Sequence, residues 1–237
     1  MMNDEQWIEQ TRNTDMKKIS FKQFNKAVMK EAERLNLGVE VLANKSLHLF
    51  NRTGKPSVCI LAGLHGNEKT GPHSILRWLR ALDKVSFDCS IFPLVNDLGW
   101  DSNSREWKKF DLNRSFNQKT GPLFMGQIIK ILKASPPAVF LDFHDDGATK
   151  AGYVFKYVKG ASVDEYVEKT LKLKCVPWDD AAVWKYCSEV FVRRLGCSSC
   201  ATFEAATKWE FDKRTALNVR VIEKAIEYCY KKHRVKR

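Results

Sequence analysis

The chain has no apolar run approaching the roughly 18 residues that a membrane span needs; its longest core-like stretches, 58–64 and 138–143, are the size of single strands. No transmembrane segment is expected. The first residues, Met1-Met2-Asn3-Asp4-Glu5-Gln6, are polar and partly acidic, without the apolar stretch of a secretory leader. Only one Cys-x-x-Cys pair is present, Cys197-Ser-Ser-Cys200, so a four-cysteine zinc site has no second pair to complete it. Seven cysteines are an odd number, which with the missing leader predicts reduced thiols and a cytoplasmic location. A redox use of the pair would need it to open a helix after a strand. It runs instead into Ala201-Thr202-Phe203, which reads as a strand. Repeats of about 20–50 residues are also lacking, as is a linker that would split the chain.

Acidic residues are outnumbered, 28 against 40 basic ones, for a formal charge of +12 over 237 residues. Part of this excess is a tail holding Lys231, Lys232, Arg234, Lys236 and Arg237. A basic body favours an anionic partner or substrate by steering. The basic residues are scattered and no recognition motif accompanies them. A nucleic-acid module, with cations on phosphates and tryptophans stacking on bases, is therefore the remote alternative. With 44% hydrophobic and 29% charged residues, collagen-like, low-complexity and disordered chains are excluded.

What is there alternates between helical and strand periodicity. A capping-box pattern, Ser20 with Gln23, opens a helix over 20–36, and Phe21, Phe24 and Val28 form its stripe. Runs at 39–42 and 47–50 read as a hairpin. Strands follow at 58–62, 91–95, 138–143 and 153–157, and one ends at Phe203. Helices are expected near 72–82, at 122–133, at 162–173 with Ser162 and Glu165 as a capping box, and at 208–231. The pattern predicts an α/β fold, a single-domain α/β/α sandwich around a mixed, mostly parallel sheet. One catalytic domain would span 1–237, with 1–19 and 232–237 as poorly ordered or peripheral ends. The stretch 97–118 reads as a long irregular loop, a frequent place for function.

In such sheets ligands collect beyond the carboxyl ends of the strands. Those ends carry His65 and Glu68, then His144, then Glu204. Zinc takes imidazole nitrogens and carboxylate oxygens, and a catalytic site uses three protein ligands with a fourth place for water. His65 and Glu68, three apart, can face one ion from a loop or first helical turn, and His144 would complete the set. A carboxylate that is not a ligand would take the proton from the bound water, a role open to Glu204. Singly, each element is more often a solvent-facing pair.

The four motifs together, His65-Gly66-Asn67-Glu68, Asp111-Leu112-Asn113-Arg114, Asp142-Phe143-His144 and Thr202-Phe203-Glu204, resemble the zinc carboxypeptidase superfamily. That group contains the carboxypeptidase A-like peptidases and the succinylglutamate desuccinylase/aspartoacylase enzymes. The resemblance spans about 57–204 and implies peripheral trimming. By position it implies one zinc per chain on His65, Glu68 and His144. It implies Asp111 as the carboxylate partner of a ligand histidine, Asn113 and Arg114 on the substrate's free carboxylate, and Glu204 as general base. Asp145 and Asp146 are expected to be solvated or to cap a loop.

Asn96-Asp97-Leu98-Gly99-Trp100 and Arg105-Glu106-Trp107-Lys108-Lys109 resemble peptidase stretches, with Asp97 where those have proline. The expected activity is therefore a zinc-dependent metallocarboxypeptidase hydrolysing a C-terminal amide bond of a peptide or cell-wall-type peptide. The alternative is an N-acyl amino acid amidohydrolase, a branch that usually lacks the tryptophan-and-basic run but whose His-Gly-Asn-Glu and Asp-Leu-Asn-Arg motifs fit this chain very well. The implied partner is a peptide or acylated amino acid with a free carboxylate, and no membrane. Lys108 stands where the peptidases place the arginine that polarises the scissile carbonyl, with Arg105 as its rival. Glu189 falls at the pocket-floor position, where it would favour a cationic C-terminal side chain. Tyr186 is the nearest candidate for the tyrosine that the peptidases use.

Overall fold

Helix α1 (Phe21–Arg34) starts at its capping box. The Ser20 hydroxyl accepts from the Gln23 backbone N–H, and the Gln23 side chain accepts from the Ser20 N–H at 2.8 Å. Such a cap is worth about 1 kcal/mol. In this computed structural model, described for residues 19–54, 57–117, 121–156, 162–177 and 185–232, the chain then forms β1 (Gly38–Val41) and β2 (Leu47–Asn51), the expected hairpin. There follow β3 (Ser57–Ala62), α2 (Thr70–Ala81), β4 (Asp88–Phe92), α3 (Asp97–Ser102), a 3-10 turn at Leu112–Arg114, and α4 (Leu123–Ala134). Next come β5 (Val139–Asp146), β6 (Tyr153–Lys156), α5 (Val163–Leu171), β7 (Lys174–Pro177), α6 (Ser188–Arg194), β8 (Cys200–Ala206) and α7 (Phe211–Lys232). The expected peripheral ends lie outside the described residues, apart from Ile19 and Lys232. No described helix is long and apolar enough to cross a membrane.

All eight strands join one mixed sheet in the order β1-β2-β4-β3-β5-β8-β6-β7. Its centre, β4-β3-β5-β8, is parallel, and the antiparallel pairs are β1/β2, β2/β4 and β6/β8. Side chains alternate across the sheet. Val58, Ile60, Val139, Leu141 and Phe143 join a core under α1, α2, α5 and α7; Cys59, Leu61 and Phe140 join a second core under α4 and α6. Helices thus cover both faces, the sandwich that the alternating pattern predicts.

Several elements depart from the sequence reading. The strand expected at 91–95 runs from Asp88 to Phe92, because it pairs with β2 and β3 and stops at Pro93, which has no N–H for a ladder. Ser162 does sit at the N-cap of α5, but its hydroxyl bonds Asp164 instead of a helix N–H. The long loop contains α3 and the 3-10 turn, and α6 and β7 carried too few apolar repeats to be read.

Two features open the site. β5 pairs with β3 only as far as Ala62↔Phe143, but continues beside β8 to Asp146↔Ala206. The chain also leaves β3 toward β4 on one side and returns as β5 on the other, which opens a crevice at their carboxyl ends.

Candidate metal centre

The loop after β3 is shaped by its glycines and by Asn96. Gly63 has φ +67°, a conformation that side chains resist, and it turns the chain out of the sheet. Gly66 packs on α3 so closely that a Cβ would lie 2.0 Å from the carbonyl carbon of Gly99. Buried Asn96 donates to the carbonyls of Leu64 at 3.2 Å and Arg105 at 3.1 Å, and accepts from the Gly99 N–H at 2.8 Å. These contacts hold the His65 loop, α3 and the Arg105 segment as one unit.

His65, Glu68 and His144 converge. His65 Nδ1 lies 2.7 Å from Glu68 Oε1, His144 Nδ1 lies 2.7 Å from Glu68 Oε2, and the two Nδ1 atoms are 3.1 Å apart. All three side chains are buried. The opposite ring nitrogens face carboxylates: His65 Nε2 lies 3.1 Å from Asp111 Oδ1, and His144 Nε2 lies 3.2 Å from Asp142 Oδ2. A carboxylate at Nε2 accepts a hydrogen bond from that nitrogen's N–H, and in the neutral ring this leaves Nδ1 with its lone pair. Two such nitrogens facing each other beside a carboxylate form a donor set suited to a cation between them. The cluster fits a metal site.

Each second carboxylate is itself held. Asp111 accepts from the Asn113 N–H at 2.9 Å and so caps the 3-10 turn. Asp142, fully buried, accepts from the Ser188 hydroxyl at the start of α6. The Asn113 side-chain oxygen accepts from the Ser188 N–H at 3.0 Å, and its amide nitrogen lies 3.2 Å from His144 Nε2. The Asp142–His144 pairing was legible in principle, since residues two apart share a strand face. Ser188 carried no such signal.

Charge follows this geometry. Burial opposes ionisation of Glu68, but His144 and His65 override it and hold the carboxyl at about 2. Burial would likewise discharge His144, yet Asp142 and Glu68 move it well above the ordinary imidazole value. Glu204 stands opposite His144 in the β5/β8 register, on the same face, and is not part of the cluster. Burial beside Glu68, Asp146 and Asp142 pushes it up to about 8, against the pull of His144. A cavity of about 220 Å³ joins these groups to Arg105, Asn113, Arg114 and Tyr153.

The catalytic-domain model of the succinylglutamate desuccinylase/aspartoacylase family matches residues 54–159. No curated protein matches the chain in sequence. Among solved structures, a protein of Shewanella denitrificans provisionally named a metallopeptidase superposes with a TM-score of 0.75 at 21% identity, over 92% of this chain and 98% of its own. A metallo-carboxypeptidase from Burkholderia cenocepacia gives 0.74 at 13% identity, over 90% and 70%. A succinylglutamate desuccinylase from Silicibacter gives 0.61 at 15% identity, over 77% and 60%. These superpositions show that the chain has a carboxypeptidase-like α/β fold.

Within this fold, the remaining expected residues divide. Arg105 lines the cavity, 3.2 Å from Glu68 Oε1 and 3.4 Å from Asp111 Oδ2. Lys108 does not line it. It occupies the tip of a tight turn closed by the Trp107–Phe110 bridge, has φ +54°, and lays its ammonium over the Trp107 ring at 4.7 Å. The two-residue turn, invisible in a basic run, exchanges the places expected for them. Arg114 lines the cavity beside Asn113.

Glu189 is fully buried at the start of α6 and accepts from the Thr202 hydroxyl; Ser188 and Thr202 line the cavity, and Glu189 stands behind them. It forms no part of the pocket floor, because the helix turns it under the sheet. Tyr186 is exposed and outside the cavity wall, whereas Tyr153 on β6 is inside it, opposite Glu204. Asp145 is not solvated as expected. Its carboxylate accepts from Thr70 and pairs with Arg214 at 3.2 Å, and its N–H reaches Glu68 Oε2 at 3.3 Å. Asp146 does cap the following loop, through the Ala148 N–H at 2.7 Å. Cys197 and Cys200 are buried behind α6, away from the cavity.

Proposed function

We propose that this hydrolase-type site belongs to a zinc-dependent metallocarboxypeptidase acting on a C-terminal amide bond. The observation that carries the reading is the place of Glu204: beside His144, on the cluster's face, yet outside its donor set. His65, Glu68 and His144 would hold the ion. A zinc there supplies Lewis acidity toward a water and the scissile carbonyl. Glu204 takes the water's proton on its carboxylate and passes it to the leaving amine. Arg114 and Asn113 hold the free carboxylate of the departing residue, for which a planar guanidinium is the better partner. Arg105, half exposed at the cavity wall, presents its guanidinium to the carbonyl oxygen as charge develops there.

A second reading, an N-acyl amino acid amidohydrolase, is favoured by the match of residues 54–159 to the desuccinylase/aspartoacylase catalytic domain. The same residues serve both reactions; the acyl side of the substrate separates them. A substrate panel on zinc-loaded protein tests the choice: short peptides with free or amidated C-termini against N-acetyl and N-succinyl amino acids. Cleavage of free-carboxylate peptides, lost on C-terminal amidation, supports the peptidase. Cleavage of the acyl amino acids alone would transfer the assignment to the amidohydrolase.

A further inference from the structure

Beyond the His-Glu-His cluster, the end of β5 builds a recognition element of opposite charge. Asp142, His144 and Asp146 face one side of the strand, in steps of about 7 Å. Asn113 meets His144 at Nε2, the nitrogen turned toward Asp142, so Asn113 and Arg114 border the cluster on its inner side. Asp146 borders it on the outer side. Glu204 stands between His144 on β5 and Tyr153 on β6. From β6, Tyr153 reaches over β8 and donates its phenol hydrogen to Asp146 Oδ2 at 2.9 Å. The other oxygen, Oδ1, accepts from the Ala148 N–H at 2.7 Å. Neutral donors thus fix both oxygens, and among the described residues no cation pairs with this carboxylate. A carboxylate has about four acceptor positions, so at least two remain for a ligand. Asp146, Tyr153 and Glu204 all line the cavity.

We propose that Asp146, oriented by Tyr153, binds an ammonium group on the acyl side of the scissile bond. The preferred substrate is then a dipeptide-like zwitterion: its free carboxylate lies on Asn113 and Arg114, and the free amine of the preceding residue lies on Asp146. The assignment rests on the hydrolase reading above and specifies its substrate class. An acetyl cap on that amine removes the charge that Asp146 pairs with, and a succinyl cap brings a second carboxylate against it. A charge-assisted hydrogen bond of this kind corresponds to a preference of about tenfold to a hundredfold.

The test uses Ala-Phe and N-acetyl-Ala-Phe, which differ only at the amine. On the zinc-loaded wild type, kcat/KM is expected to favour the free amine by at least about tenfold. Asp146→Asn should collapse that ratio toward one, and Tyr153→Phe should lower it by a smaller factor. Calorimetry of both ligands with zinc-loaded Glu204→Gln, alone and combined with Asp146→Asn, gives the same ratio as Kd values without turnover. If neither peptide is cleaved, the peptidase reading fails while the Kd ratio still decides the role of Asp146. A wild-type preference for the acetylated ligand, or a ratio unmoved by Asp146→Asn, would overturn the proposal.

Discussion

His144 and His73 are equally withdrawn from solvent, at 3% and 1% exposure, yet their surroundings give them opposite characters. His144 has Asp142 at one nitrogen and Glu68 at the other, and these carboxylates raise its affinity for positive charge against the cost of burial. His73, on α2, lies among Phe24, Trp100 and Phe211, with ring centroids 5.7, 5.3 and 5.3 Å away. Neither of its nitrogens has a hydrogen-bond partner among the described residues. Burial, with Lys69 and Arg80 nearby, pushes it down to about 3. One imidazole is built to face a cation and the other fills space between aromatic rings. Burial alone separates neither from the other; the partner at the far nitrogen does.

The largest effects should fall on one side of this comparison. His65→Ala and His144→Ala are expected to abolish zinc retention and bring hydrolysis to background, while His73→Leu keeps both. Metal analysis of dialysed proteins beside circular dichroism checks it, and a folded His73→Leu protein without metal would break the contrast. Glu204→Gln should keep the zinc and lower kcat by about 10²–10⁴-fold, the range for loss of a general base. Next in size, Arg105→Ala should lower kcat by about 10²–10³-fold, the scale for removing one oxyanion donor, whereas Lys108→Ala changes it by less than about threefold. Steady-state kinetics on the two variants side by side settles which cation faces the cavity. Smaller again, Asp111→Asn and Asp142→Asn should each weaken zinc binding by about 10–100-fold through the ligand histidine's far nitrogen. Competition with a chelator measures this, and unchanged affinity would show that the pairing does not set the tautomer.

The contrast between the two histidines also marks how far the sequence could be read. His65, Glu68, His144 and Glu204 were legible because each follows or ends a run of strand-type apolar residues, and strand ends collect chemistry in this fold class. The sheet itself was legible for the same reason: Val58 to Ala62 and Ala138 to Phe143 admit few other structures. Arg105 and Lys108 could not be ordered, because a two-residue turn between Trp107 and Phe110 decides their directions and leaves no periodic trace. Glu189 was misplaced because α6, only seven residues long, carries its direction in its packing on β8 and not in its own pattern. Tyr153 was missed because its importance comes from pairing with Glu204 across an antiparallel boundary, a contact that spacing along the chain does not encode.

The smallest expected effect concerns His73 alone and is thermodynamic. Its pKa is about 3 in the folded chain and near the ordinary 6.5 when unfolded. Above pH 6.5 the ring is neutral in both states and contributes no pH dependence. Below it, the unfolded chain takes up a proton that the folded chain refuses, so stability falls as pH falls, by up to about 1.4 kcal/mol per pH unit, until pH approaches 3. Other groups also change their proton binding on unfolding, so the wild-type slope is not His73's own. Subtracting His73→Leu isolates it, because leucine fills similar space and carries no nitrogen to hydrate or protonate. Urea unfolding of both metal-free proteins between pH 6.5 and 4.5 should show the variant losing about 2 kcal/mol less than the wild type. Leucine should also raise stability at pH 7, since two buried nitrogens without partners disappear. Equal slopes would mean that His73 accepts its proton inside the fold, and the aromatic pocket would then differ from the metal centre in degree and not in kind.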